Sequence, residues 1–164
     1  MFMEPLESRR LLSSSLSAGV LSVEGTARDD TISVARNADK KHVNVRIGSS
    51  LKWYWLSSVK QIRIDGGDGN DVLTDPDWIS FVHGGGGNDF LVYLGGSQSW
   101  LNGGAGNDSL VGGPQYDWLV GGKGNDWFFG RQGNDFIKTG PGRDHIGFNT
   151  QPNSNTNRDT VDDF

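Results

Sequence analysis

From Gly66 to Gly147 the chain repeats every nine residues. The units read GGDGNDVLT (66–74), DPDWISFVH (75–83), GGGGNDFLV (84–92), LGGSQSWLN (94–102), GGAGNDSLV (103–111), GGPQYDWLV (112–120), GGKGNDWFF (121–129), GRQGNDFIK (130–138) and TGPGRDHIG (139–147). Tyr93 is the single residue that interrupts the frame. The first half of a unit is rich in glycine and its sixth place is usually aspartate. Its eighth place is always apolar: Leu73, Val82, Leu91, Leu101, Leu110, Leu119, Phe128, Ile137 and Ile146. A nine-residue unit cannot bury its own apolar side chain, so the units must stack as a solenoid in which each coil is covered by its neighbours.

Glycine supplies the left-handed backbone of a tight turn. Three residues around an inward eighth side chain suffice for a very short strand. The unit is therefore a turn plus a short strand, and two units make one coil. Such a core is narrow, in keeping with a hydrophobic fraction of 34%. Ordering 25 glycines costs more backbone entropy than usual, so further stabilisation is required. The chain has no cysteine, which removes disulfides and thiolate metal sites. A net charge of -5 offers no basic stripe for nucleic acid and suits a bound cation.

The GGxGND pattern resembles the repeats-in-toxin (RTX) calcium-binding nonapeptide family. The resemblance implies an all-β fold, a right-handed parallel β-roll, with calcium between adjacent loops on the same side. Its ligands would be main-chain carbonyls of the glycine turn and aspartates of successive coils. Alternate units share a side. The first side collects Gly66, Gly67, Gly69 and Asp71; Gly84, Gly85, Gly87 and Asp89; Gly103, Gly104, Gly106 and Asp108; Gly121, Gly122, Gly124 and Asp126; and Gly140, Gly142 and Asp144. Four ions are expected between these five loops, with a bulge absorbing Tyr93 in the nineteen-residue step from Asp89 to Asp108. The second side carries Ser80 and Ser99 where aspartate is expected, and regains it at Asp117 and Asp135. A fifth site there would use Gly112, Asp117, Gly133 and Asp135, although Gln115 and Tyr116 replace the usual glycine and asparagine. Four to five calcium ions, folding triggered by calcium and an extracellular, secreted life are what the resemblance implies.

Upstream, Val20–Glu24, Thr31–Arg36, His42–Ile47, Leu51–Leu56 and Gln61–Asp65 read as strands of an amino-terminal cap over residues 19–65. Gly25–Ser33 looks like an imperfect first unit, with Asp30 in sixth and Ile32 in eighth place; a polar turn is the expected role of Asp29 and Asp30. Residues 1–18 read as a disordered leader rather than a signal peptide, and LESRRLL (6–12) resembles the LEPRxLL motif of exported bacterial proteins. Residues 148–164 read as a loop followed by DTVDDF, similar to the start of an RTX closing segment; an incomplete closure with a frayed last coil is expected.

Outward seventh positions carry Phe81, Trp100, Trp118 and Phe136, which stacking would align into an aromatic ladder. Its expected role is to stabilise the sheet; the alternative is a platform for polysaccharide or a cell-surface partner. Catalysis has no support: His42, His83 and His145 are scattered, and no zinc-protease motif or nucleophile elbow is present. A remnant of a secreted hydrolase is the weaker alternative. No apolar stretch is long enough to cross a membrane as a helix.

Overall fold

The computed structural model describes residues 13–75, 80–147 and 159–163. The LESRRLL motif, residues 76–79 of the second unit and the polar stretch 148–158 lie outside them. The described strands are β1 (Ser13–Ser17), β2 (Val20–Glu24), β3 (Thr31–Arg36), β4 (His42–Ile47), β5 (Ser50–Trp55), β6 (Gln61–Asp68), β7 (Val72–Asp75), β8 (Ser80–Gly86), β9 (Phe90–Tyr93), β10 (Ser99–Ala105), β11 (Ser109–Val111), β12 (Asp117–Lys123), β13 (Trp127–Phe129), β14 (Phe136–Lys138), β15 (His145–Gly147) and β16 (Thr160–Asp162). The described helical structure is one 3-10 turn at Leu56–Ser58.

These strands form two eight-stranded sheets. One runs β1-β2-β6-β8-β10-β12-β14-β16, the other β15-β13-β11-β9-β7-β3-β4-β5. Here they are called sheet A and sheet B. The chain crosses from one sheet to the other at every half coil, so sequence neighbours lie in opposite sheets and unit n pairs in parallel with unit n+2. Trp100 thus faces Trp118, and Leu110 faces Phe128, in register. Among the described residues, antiparallel pairs occur only at the amino end, in β1–β2 and β3–β4–β5, whose members share a sheet.

Between the sheets runs a ribbon one side chain deep. Leu21, Ile62, Val82, Leu101, Leu119 and Ile137 enter it from sheet A and Ile32, Leu73, Leu91, Leu110 and Phe128 from sheet B, all essentially inaccessible to water. Each such side chain stabilises the fold by roughly 1.5–3 kcal/mol. Ile146, in the last coil of sheet B, is only partly buried. The amino-terminal cap is better filled, because β2, β3, β4 and β6 each direct two or more side chains inward.

Several expectations need correction. Ser13–Ser17, within the span read as a disordered leader, is a strand that lines the edge of β2. Tyr54 fastens it by donating its hydroxyl to the Ser14 carbonyl at 2.8 Å. At the other end DTVDDF supplies β16, which pairs with β14 through Phe136↔Thr160 and Ile137↔Val161, while β15 stays at the edge of sheet B. The strands β8, β10 and β12 are seven residues long rather than three. They continue into the first-side turns because Gly67, Gly85, Gly104 and Gly122 stack on one another without side chains.

The extra residue is also accommodated differently. Tyr93 pairs with Asp75 as a regular extension of β9, and the surplus enters the second-side turn 94–98. The first side therefore stays in register across the nineteen-residue step. Tyr93 itself is fully buried, its hydroxyl accepting the Ser97 N–H at 3.1 Å.

Close stacking makes some glycines irreplaceable. Gly106 has φ +130°, and a Cβ there would overlap the Gly87 carbonyl of the preceding coil. Gly48 has φ +55° but faces open space. Gly106→Ala should lower stability in urea unfolding by about 3 kcal/mol, since it combines backbone strain with a clash against main chain. Gly48→Ala should cost only about 1–2 kcal/mol; equal losses would contradict the stacking account.

Candidate metal centre

The sixth-position aspartates of the first side form one continuous column. Each N–H donates to the carboxylate of the next coil. Asp30 N donates to Asp71 Oδ1 at 2.7 Å, Asp71 N to Asp89 Oδ1, Asp89 N to Asp108 Oδ1, Asp108 N to Asp126 Oδ1 and Asp126 N to Asp144 Oδ1, the last four all at 2.8 Å. One oxygen of each carboxylate is thereby used to join coils.

The second oxygen is left over. Oδ2 of Asp71, Asp89, Asp108 and Asp126 is buried without a hydrogen-bond partner. Each of these atoms fills the place where the first residue of its own loop would carry a Cβ, at Gly66, Gly84, Gly103 and Gly121. At three of these glycines the carbonyl of the next coil's first residue converges on the same spot: Gly84 O and Gly103 O lie 2.6 Å, and Thr139 O 2.7 Å, from the Cβ position. The small space thus collects a carboxylate oxygen and a carbonyl oxygen with no donor between them. Leaving a charged acceptor in that state costs more than the ~1–3 kcal/mol of a neutral orphan. A hard cation taking oxygen ligands, as calcium does, fits this donor set.

The titration behaviour follows from the same burial. Desolvation raises Asp71 to about 6 and Asp108 to about 7, with repulsion from neighbouring column aspartates adding to it. Burial likewise raises Asp89 and Asp126. On the second side burial raises Asp135 to about 7.

The second side divides in two. Asp117 is satisfied by protein alone: Oδ1 accepts the Ser99 N–H at 2.8 Å and its hydroxyl at 2.7 Å, and Oδ2 accepts the Gly113 N–H at 2.6 Å. The ring of Tyr93 packs beside it, where a Cβ on Gly113 would stand 2.8 Å from the ring. Asp135 instead keeps an orphan Oδ2, while its Oδ1 accepts the Asp117 N–H at 2.9 Å. Its own N–H donates to Asp159 Oδ1 at 3.1 Å, which extends the column into the closing strand.

At the amino end the column is closed without an ion. Asp30 Oδ2, the equivalent of the orphaned atoms, accepts the Thr26 N–H at 2.7 Å and the Thr26 hydroxyl at 2.8 Å. Asp29 and Asp30 therefore make a polar turn.

A second ladder was not foreseen from the sequence. The fifth-position asparagines join coils in the opposite sense. Asn88 N donates to Asn70 Oδ1, Asn107 N to Asn88 Oδ1 and Asn125 N to Asn107 Oδ1, each at 2.7 Å. Asp29 begins this ladder by accepting the Asn70 N–H at 2.8 Å. Arg143 ends it, giving only its backbone N–H to Asn125 at 2.8 Å. The visible signal was the recurrence of asparagine in the first four loops and its replacement by arginine in the fifth.

The raised carboxylates set a pH dependence for the metal-free chain. Folded-state values near 6 and 7 lie above the ordinary aspartate value of 3.8, so the folded state holds protons that the unfolded chain releases. Stability from these groups is complete below about pH 4 and lost as pH rises through about 7. In chelator, β structure measured by circular dichroism should grow as pH falls from about 8 to 5. A loss of β structure on that acidification would contradict the burial of these carboxylates.

The model of the RTX calcium-binding nonapeptide repeat matches the chain four times, over residues 63–74, 80–97, 95–119 and 117–146. No curated protein and no solved structure matches it. The nine-residue frame, the stacked glycine turns and the column of orphaned carboxylates agree with that match: residues 63–74 and 80–146 carry RTX calcium-binding nonapeptide repeats.

Proposed function

We propose that this chain is an extracellular structural module whose roll is completed by about five calcium ions. Four would lie on the first side, held by Asp71 with the loop of Asp89, Asp89 with that of Asp108, Asp108 with that of Asp126, and Asp126 with that of Asp144. The observation that carries this reading is the set of four buried, unpartnered Oδ2 atoms, one in each gap. The glycines at 66, 67, 69, 84, 85, 87, 103, 104, 106, 121, 122, 124, 140 and 142 serve these sites by admitting carbonyls and neighbouring coils where a Cβ would intrude.

On the second side the fifth ion belongs one step further along than the spacing of Asp117 and Asp135 suggests. Asp117 has both oxygens occupied by protein donors, whereas Asp135 has one free and faces the coil of Asp159. Gly112 and Gly133 then act through close packing: their Cβ positions lie 2.8 Å from Asp117 Oδ2 and against Gln115 O respectively.

Calcium modules of extracellular fluids bind at ~10⁻⁴–10⁻³ M. At roughly 10 mM ion each site adds about 1.4–2.7 kcal/mol, so about five sites together rival the stability of an ordinary domain. Calcium levels outside cells would satisfy such affinities, in keeping with the proposed secreted module and its surface attachment or adhesion after calcium-driven folding. The aromatic column as a whole does not support a broad ligand platform, because its internal ring faces are covered. Trp100 and Trp118 stack with centroids 4.9 Å apart at 9°.

The test is a calcium titration from chelator to about 10 mM at neutral pH, with magnesium as control, read by circular dichroism and calorimetry. A cooperative gain of β structure with calcium alone is expected. Asp108→Asn should remove bound calcium and lower stability by about 1.4–2.7 kcal/mol at 10 mM ion. Asp117→Asn should leave the stoichiometry unchanged. A spectrum fully folded in chelator would defeat the proposal.

A further inference from the structure

The outer face of sheet A carries two adjoining columns that the calcium sites do not use. The seventh-position column runs Arg63, Phe81, Trp100, Trp118 and Phe136 in register. Beside it the ninth-position column runs Asp65, His83, Asn102, Val120 and Lys138. Between their amino-terminal ends lies an open groove of about 530 Å³, with Glu24 at its head.

We propose that this groove binds a neutral saccharide, one ring packed on the free face of Phe81 and its hydroxyls directed to Asp65, His83 and Asn102. The stack of rings is tight at its carboxyl end, where Trp118 and Phe136 are 4.3 Å apart, and opens to 6.0 Å between Phe81 and Trp100. Within the stack both faces of Trp100 and Trp118 meet other rings. Phe81 is different. The next residue of the column is Arg63, and among the described residues no ring covers the face of Phe81 that points towards it. Phe81 is also exposed at 36% and lines the groove.

The chemistry around it selects the ligand. Asp65, His83, Asn102, Arg63 and Glu24 line the groove together with Phe81 and supply both acceptors and donors. His83 Nδ1 lies 3.4 Å from Asp65 Oδ1 on its wall. Two carboxylates against one guanidinium repel a polyanion. The groove is open and nearly half polar, which does not suit a lipid chain. A peptide adding as a strand needs a sheet edge, and β8 and β10 are paired on both sides. A polyhydroxylated ring with an apolar C–H face and no charge matches both walls, and the volume lies in the range of small-ligand sites.

The test uses the full chain in calcium, run by affinity electrophoresis through gels containing hydroxyethylcellulose, glucomannan or xylan, with polygalacturonate as the charged comparison. Retardation in at least one neutral gel is expected, weakened tenfold or more by Phe81→Ala and by Asp65→Asn. Phe136→Ala, at the covered end of the stack, should keep it. Asp65→Asn alters an exposed polar group and keeps the test decisive if Phe81→Ala fails to fold. No retardation in any neutral gel, stronger retardation by polygalacturonate, or equal losses in the Asp65 and Phe136 variants would overturn the proposal. The calcium response of the circular dichroism spectrum, recorded on the same samples, separates failure of the groove from failure of the calcium reading.

Discussion

Successive coils of a parallel sheet lie about 4.8 Å apart, and the first-side aspartates repeat at that spacing. A column of carboxylates so close and so buried is a liability unless every oxygen has a partner. The fold satisfies half of the requirement itself, since each Oδ1 accepts the N–H of the preceding coil's aspartate. It leaves the other half open at Asp71, Asp89, Asp108 and Asp126. The rest of the architecture follows from this imbalance. Glycine at the first place is compelled because the orphaned oxygen occupies the position of its Cβ, and glycines at the second and fourth places admit the carbonyls of the coil behind. A thin apolar ribbon cannot compensate for several unpaired charges. A hard cation, such as the calcium that the matched repeat family binds, would supply the missing positive charge.

The two sides show that a buried aspartate in this frame has more than one solution. Asp117 sits in the same place in its unit as Asp108, yet the Ser99 hydroxyl and the Gly113 N–H occupy its oxygens. Asp30 reaches the same end through Thr26. At Asp30 the residue that breaks the glycine pattern, Thr26, supplies the donors, whereas at Asp117 the second oxygen is met by the backbone N–H of Gly113. Protein donors can therefore take the place that an ion would fill.

Much of this was legible in the sequence, because a strict period allows few arrangements. The inward eighth-place residues, the parallel pairing of alternate units and the alignment of Phe81, Trp100, Trp118 and Phe136 all follow from counting in nines. Three features escaped such counting, each for a physical reason. The strand at Ser13–Ser17 owes its existence to an edge of β2 and to the hydroxyl of Tyr54, forty residues away, and local composition carries no trace of either. Closure by Asp159–Asp162 depends on a pairing across 24 residues, beyond the reach of an eighteen-residue rule. The opposed asparagine and aspartate ladders depend on which way each amide points, and periodicity alone cannot distinguish the two senses.

The ends and the middle of the molecule rest on different forces. In the cap, Leu21, Val23, Ile32, Val34, Val43, Val45, Ile62 and Ile64 form a core several residues across, and its one column aspartate is satisfied by Thr26. Its stability is set by apolar burial and does not vary with the concentration of an ion. In the repeats up to Asp135 each coil contributes two inward side chains and at least one uncompensated carboxylate, so a bound proton and a bound cation act in the same sense, each removing the same charge, and a rise in pH acts against stability. The cap therefore presents β6 and β3 as ready-made edges, with Asp30 already placed to donate its N–H to Asp71. Each further coil needs only its own pair of side chains and its own neutralised carboxylate to extend it. That division explains why the imperfect unit at Gly25–Ser33 stands at the amino end. A coil that needs no ion is the physical requirement for a surface on which ion-dependent coils can form.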